Sequence, residues 1–250
     1  MRICCAAAWS SSGRLARPSD RVAFFDTLLE GTVESHRVRI PIIVLAAGSS
    51  RRMGSPKPLL EFGGRTCLSL VLSACMGSRA EGTVLVLGAD ADLIRAAAAR
   101  DGKLPDSLSV VLNDRHLSGQ TSTLKAGLEA IAADADGFMI LPVDHPLITS
   151  DDVDALIERF EMKPRGRSIF IACHQNRRGH PVLFTSAHKS SILELGDDEP
   201  LHDYTHVREA QTEEVHVAGI GVISGMNTPE EHQRLIRIYR DRAHVEGRAG

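Results

Sequence analysis

No apolar run in this chain approaches the roughly 20 residues that a membrane-spanning helix requires, so no membrane partner is expected. A cationic surplus is missing as well: Lys and Arg number 29 against 32 Asp and Glu, a net charge of −3. Non-specific nucleic-acid binding rests on such a surplus, and no nucleic-acid groove is expected either. Cysteine is sparse. The five present (Cys4, Cys5, Cys67, Cys75, Cys173) form an odd set among apolar neighbours and lack zinc-site spacing, which fits a reduced cytoplasmic compartment.

What is present is ordinary globular composition, 24% charged and 43% hydrophobic. A chain of 250 residues holds one sizeable α/β domain and not two comfortable ones. Residues 1–38 read as an extension outside that domain, mixing Cys4-Cys5, an alanine run, Ser10 to Ser12 and five arginines without sustained periodicity. Its apolar patch, Ile3 to Trp9, is short for a secretory signal, and Asp20, Asp26, Glu30 and Glu34 argue against a transit peptide over the whole segment. The domain itself is expected over 39–240, with a frayed tail at 241–250.

The chain is organised around Ile40 to Lys57, IPIIVLAAGSSRRMGSPK. An apolar β-branched run ends in small residues, followed by Ser49, Ser50, Arg51 and Arg52 and closed by Lys57. Small residues after a buried strand let the backbone turn and present N–H groups to an anion, while Arg and Lys supply countercharge. This reads as a nucleotide-phosphate loop; the bland alternative is a glycine-containing surface loop with two solvated arginines. It is not a Walker loop, because Ser55 and Pro56 separate Gly54 from Lys57. Nor is it a dinucleotide fingerprint, since Ser50 stands where the second glycine belongs.

Downstream, apolar runs alternate with helical periodicity. Helices are expected over Thr66 to Met76, from Asp90 through Arg100, and over Gln120 to Ala132; strands over Thr83 to Leu87, Ser109 to Leu112 and Gly137 to Leu141. That order predicts an α/β, doubly wound, mainly parallel sheet in a single domain, with ligands at the carboxyl ends of the strands. Asp144 follows one such end and suits a magnesium ion, a hard cation that prefers oxygen; Thr149 or Ser150 is the better cap for the helix that follows. Gly119, Gln120 and Ser122 put a close backbone and hydrogen-bonding groups at a helix start, although an ordinary N-cap explains Ser118 or Thr121 equally well. Further strands are expected over Ser168 to Cys173, from Gly179 to Phe184 and in the region Val215 to Ile223, then a last helix from Thr228. Arg177 and Arg178 could attract an anion or be solvated, and His202 and His206, four apart, are weak evidence for zinc without a third ligand.

Leu45, Ala46, Ala47, Gly48, Ser50, Arg52, Met53, Gly54 and Lys57 match the pattern L-A-A/G-G-x-S-x-R-M-G-x-x-K. The stretch resembles the opening signature of the molybdenum-cofactor nucleotidyltransferases, the MobA-like NTP transferases that include cytidylyl- and guanylyltransferases acting on molybdopterin. The resemblance implies a Rossmann-like nucleotidyltransferase fold. It implies that Leu45, Ala46, Ala47, Gly48 and Ser50 wrap the donor triphosphate, with Arg52 and Lys57 facing its phosphates. It also implies that Asp144, in Asp144-His145-Pro146, holds Mg²⁺; that Gly119, Gln120 and Ser122 lie on the donor nucleotide; and that His180 and Pro181, in Gly179-His180-Pro181-Val182, line the acceptor side. Relatives carry two aspartates before Thr-Pro-Glu, where this chain has Gly225 and Asn227; Asn227 keeps an oxygen for the metal and alternatively caps the last helix. Ala47, where guanylyl-transferring relatives more often have a second glycine, leans the donor toward CTP. The activity so implied is Mg²⁺-dependent transfer of CMP from CTP to the terminal phosphate of molybdopterin, with Arg52, Lys57 and Asp144 as the catalytic set and a molybdoenzyme as eventual recipient. The alternatives are GTP or a sugar-phosphate acceptor on the same fold, and a non-catalytic nucleotide or cofactor carrier.

Overall fold

The computed structural model describes residues 37–50, 53–100 and 108–249. Val38 to Gly250 form one compact unit. The expected extension at 1–38 therefore lies, through residue 36, outside the described residues, as does Arg52.

Strand β1 (Ile42–Ala46) is buried along its whole length and pairs in parallel with β4 (Thr83–Leu87) on one side and β6 (Gly137–Pro142) on the other. A short antiparallel pair, β2 (Glu61–Phe62) and β3 (Arg65–Thr66), follows the loop after β1, and β5 (Leu108–Leu112) extends the sheet beyond β4. After β6 the direction changes. β7 (Ile169–His174) and β8 (Arg177–Thr185) form a hairpin whose second strand runs antiparallel to β6, and β9 (Thr212–His216) joins β7 in parallel at the far edge. The seven-stranded order is β5-β4-β1-β6-β8-β7-β9. A doubly wound, mainly parallel sheet is thus found as the alternation predicts.

Strands covered on both faces read as near-continuous apolar runs, and their alternate residues serve two different cores. Ile42, Val44 and Ala46 face α1 (Cys67–Gly77), α2 (Ala91–Arg100) and α4 (Ser150–Glu161). Ile43 and Leu45 face α3 (Gln120–Ala130), α5 (Lys189–Leu193) and α6 (Leu201–His206). Two of these helices have side-chain caps at their start. Thr66 accepts from the Ser69 N–H at the start of α1, and Thr149 and Asp152 form a reciprocal capping box at α4, leaving Asp144 free of that duty. Gly127 sets the seat of α3: a Cβ there would run into the Ile43 side chain and lie 3.1 Å from Val86.

Two expectations fail at the C-terminal end. Val215 to Ile223 is not one strand, because β9 stops at His216 and a 3-10 helix occupies Ile220–Ile223. The chain there passes too close to its neighbours for an extended strand with side chains. A Cβ on Gly219 would meet Asp152 Oδ1 at 2.5 Å, and one on Gly221 would overlap the Leu147 carbonyl. The tail expected to fray from 241 instead continues α7 (Pro229–Ala249). Residues 241–250 contain no proline, and their alanines and arginines favour helix. No helix among the described residues is long and apolar enough to cross a membrane.

Candidate active site

The carboxyl ends of β1 and β6 lie side by side, since Leu45 registers with Pro142. A cavity of about 590 Å³ opens directly above them. Its wall takes Leu45, Ala46, Ala47, Gly48 and Ser50 from the end of β1 and the loop after it, and Lys57 from the 3-10 helix Lys57–Leu59. Gly119, Gln120, Asp144 and Asn227 complete the set of sequence-derived candidates that meet there.

The loop closes on itself through Ser50. This residue adopts φ 48°, its carbonyl accepts from the Met53 N–H at 2.8 Å, and its Oγ accepts from the Lys57 N–H at 2.9 Å. Ser50 is therefore a brace for the loop as well as part of its wall. A Cβ on Gly48 would meet nothing within 4 Å, so this backbone faces open space. Ala47 is buried, with its methyl 2.8 Å from where a Gly88 Cβ would stand.

At the foot of the cavity three side chains remote in sequence converge. Lys57 Nζ donates to Asp144 Oδ2 at 2.6 Å and to Asn227 Oδ1 at 2.9 Å. Both Lys57 and Asp144 side chains are 18% exposed, which makes their pairing much less screened than a surface ion pair. The other carboxylate oxygen, Asp144 Oδ1, accepts from His145 Nδ1 at 3.0 Å. Burial works against ionisation of Asp144, but the hydrogen bond and charge of His145, together with Lys57, outweigh it and hold the carboxyl well below the usual carboxylate range. Asp144 and Asn227 thus already aim two hard oxygens at one cation, the Lys57 ammonium. The same donor chemistry fits a divalent ion such as Mg²⁺.

Asn227 is not consumed as a helix cap. Thr228 Oγ1 accepts from the Glu231 N–H at 3.3 Å and Glu231 Oε2 accepts from the Thr228 N–H at 3.2 Å, a capping box that starts α7 one residue later. Its side chain lines the cavity instead, where Oδ1 accepts from Lys57 Nζ.

The remaining candidates are placed differently. Gly119, at φ 136°, packs its α-carbon beneath the backbone of Asp197 and Asp198. Ser122 is fully buried; its hydroxyl donates toward the Arg115 and Gly119 carbonyls and accepts from Asn113 Nδ2 at 3.0 Å, so it shapes the 113–119 segment from behind the cavity wall. His180 and Pro181 also stand behind the wall. The His180 ring packs edge-on against His145 at 5.0 Å, and its Nδ1 is buried without a protein partner. Burial first, and then the neighbouring His145, push the His180 imidazole down to about 3. Arg178 lies within β8, not in a turn, and is tied to Glu209 and Glu214. His202 and His206 do stack on α6, with ring centroids 6.1 Å apart, and no third ligand joins them among the described residues.

Sequence reading assigned no role to His145 or His116. Adjacency to Asp144 is the signal for the first. His116 lines the cavity beside Leu117, with Nδ1 3.1 Å from the Asn113 carbonyl and its ring against Gly88, a contact that needs the tertiary fold to be seen.

Residues 42–215 match the family model of the MobA-like NTP transferase domain. Among curated proteins, the bifunctional protein GlmU of Rhodococcus jostii (strain RHA1) is 28% identical over 182 residues, 70% of this chain and 36% of that protein. The chain thus spans about a third of that relative's length. Among solved structures, the homolog of Mycobacterium tuberculosis Rv0371c from Mycobacterium sp. strain JC1 is 26% identical, with a TM-score of 0.67 covering 81% of this chain and 98% of that one. A structure of Rv0371c from Mycobacterium tuberculosis H37Rv in complex with manganese shares the fold, at 22% identity and a TM-score of 0.64 over 80% of this chain and 99% of that one.

Proposed function

The chain belongs to the MobA-like NTP transferase family, and from that premise we propose that it transfers CMP from CTP to the terminal phosphate of molybdopterin, releasing pyrophosphate. The observation that carries the reading is the convergence of Lys57, Asp144 and Asn227 at the foot of a cavity walled by the Leu45 to Ser50 loop. CTP is favoured over GTP by Ala47, which stands where guanylyl-transferring relatives more often carry glycine. The acceptor rests on the resemblance of the opening motif. A molybdoenzyme would then receive the product. The free, buried Cys67, Cys75 and Cys173 are in keeping with a reducing, cytoplasmic setting.

In this reaction an oxygen of the acceptor phosphate attacks the α-phosphorus, the bond from that phosphorus to the bridging β-phosphate oxygen breaks, and pyrophosphate leaves with the electron pair. An acceptor phosphate is already anionic near neutral pH, so the protein's work is alignment and charge neutralisation and not proton removal. The glycine-containing loop cradles the triphosphate. Lys57 faces its charge, and Arg52 is assigned to the same task on the motif alone. Asp144, kept ionised, and Asn227 would hold Mg²⁺, which when bound supplies charge neutralisation on phosphate oxygens. His145 orients the Asp144 carboxylate through Oδ1 and leaves Oδ2 toward Lys57.

The test is pyrophosphate release by the full chain with Mg²⁺ and each of CTP, GTP, ATP and UTP, with and without molybdopterin. Release with CTP only when molybdopterin is present is the expected result. Release that requires a different acceptor overturns the acceptor; nucleotide binding without release under any pairing overturns catalysis in favour of a carrier.

A further inference from the structure

At the far edge of the sheet, three side chains of metal-binding chemistry meet on one face. Cys173 in β7 registers directly with His216 in β9, and Glu214, two residues before His216, projects from the same face of its strand. One ligand atom from each of Cys173, Glu214 and His216 lies within 4.8 Å of the others. We propose that these three residues form a second metal site, separate from Asp144 and Asn227, that takes a borderline divalent cation such as Zn²⁺.

A thiolate, an imidazole and a carboxylate are the donor types zinc uses, and three of them with one coordination position left open match its tetrahedral preference. Mg²⁺ would not be held here, because it demands oxygen ligands in octahedral array. The surroundings support the assignment. Glu214 Oε2 is the partner of Cys173 Sγ at 3.5 Å, while Oε1 accepts from Arg178 Nε at 2.7 Å, so the carboxylate is held from behind as metal-bound carboxylates commonly are. Arg178 is itself shared with Glu209, which moderates its charge toward an incoming ion. Cys173 is buried and His216 exposed, giving the ion a protein side and a solvent side. Coordination by Cys173 as a thiolate forms an S–Zn bond, sends the thiol proton to solvent and displaces water from the hydrated ion.

β7 and β9 run parallel to β6, so this cluster sits at the same, carboxyl end of the strands as Asp144, beyond the intervening β8. A metal here would clip the edge strand β9 to β7. No sequence spacing reveals the site, since Cys173 and His216 are brought together only by strand register.

The test is a titration of the full chain, without nucleotide, with Co²⁺ followed by displacement with Zn²⁺. The expected result is a near-ultraviolet thiolate-to-cobalt absorption band that saturates, is accompanied by proton release, and disappears on adding Zn²⁺. Cys173→Ser should abolish the band. His216→Ala, an exposed replacement that leaves the core untouched, should weaken Co²⁺ binding by roughly tenfold or more. A missing band, a band that survives Cys173→Ser, or an affinity unchanged by His216→Ala overturns the proposal. An ion bound only at Asp144 and Asn227 gives no thiolate band, so the two sites are distinguished by the same experiment.

Discussion

Lys57 is the residue through which the candidate site is assembled, because its ammonium touches both Asp144 and Asn227. Lys57→Ala should lower turnover by roughly 10²- to 10³-fold, the range found when one preorganised charge-stabilising group is removed. Steady-state rates at saturating nucleotide check this, and a variant as fast as the parent removes Lys57 from catalysis. Asn227 allows a finer distinction. If its oxygen serves a divalent ion, Asn227→Asp adds a charge to a hard-oxygen site and should tighten Mn²⁺ binding severalfold, whereas Asn227→Ala should weaken it. Calorimetric Mn²⁺ titration of both variants reads the sign; an identical affinity in all three proteins would leave Asn227 only its hydrogen bond to Lys57. Thr228, not Asn227, holds the start of α7, so neither change is expected to unwind that helix.

Among the elements, α3 shows how the sheet aims a loop. Its residue Gly127 lies against Ile43 and Val86, so the helix rests directly on β1 and β4 and brings Gly119 and Gln120 to the cavity. Gly127→Ala gains up to about 1 kcal/mol in helix propensity but must push into Ile43, a strain of about 1–3 kcal/mol. The expected net effect is a lower midpoint in urea unfolding with an unchanged slope, and an equal or higher midpoint would show that the contact yields. Elements of this first half are legible in the sequence because parallel strands buried on both faces read as apolar runs, and the helices between them carry helical periodicity, two of them with side-chain caps at Thr66 and Thr149. The second half is less so. The hairpin of β7 and β8 is visible as two apolar stretches, but the break after His216 is set by Asp152 and the Leu147 carbonyl, which crowd Gly219 and Gly221 from distant parts of the chain. In the same way the loop motif and Asp144 can be picked out residue by residue, whereas the role of Asn227 depends on a neighbour that the sequence leaves undecided between two uses.

For the molecule as a whole, His180 ties stability to pH. Its folded-state value of about 3 lies below the ordinary 6.5, so between these limits the unfolded chain takes up a proton that the folded one does not. Stability contributed by the neutral imidazole is present above the ordinary value and lost as pH falls through that window, at up to about 1.4 kcal/mol per pH unit for one linked proton. His180→Gln should therefore flatten the acid side of the stability profile. Urea midpoints taken from neutral pH down to about pH 4 check it, and parallel curves for the two proteins would detach His180 from acid unfolding.

Gly119 also ties two distant stretches together. The 195–199 segment is fastened over the start of α3: Lys125 bonds the Leu195 carbonyl and Asp197, Arg115 pairs with Asp197 at 3.0 Å, and Thr121 bonds the Glu199 carbonyl. The Asp197 backbone occupies the space that any side chain at 119 would need. In evolutionary terms the two stretches share one fate. A lineage that gives up glycine at 119 must first move the backbone near 197, and a lineage that reshapes 195–199 inherits Gly119 as a fixed condition of doing so.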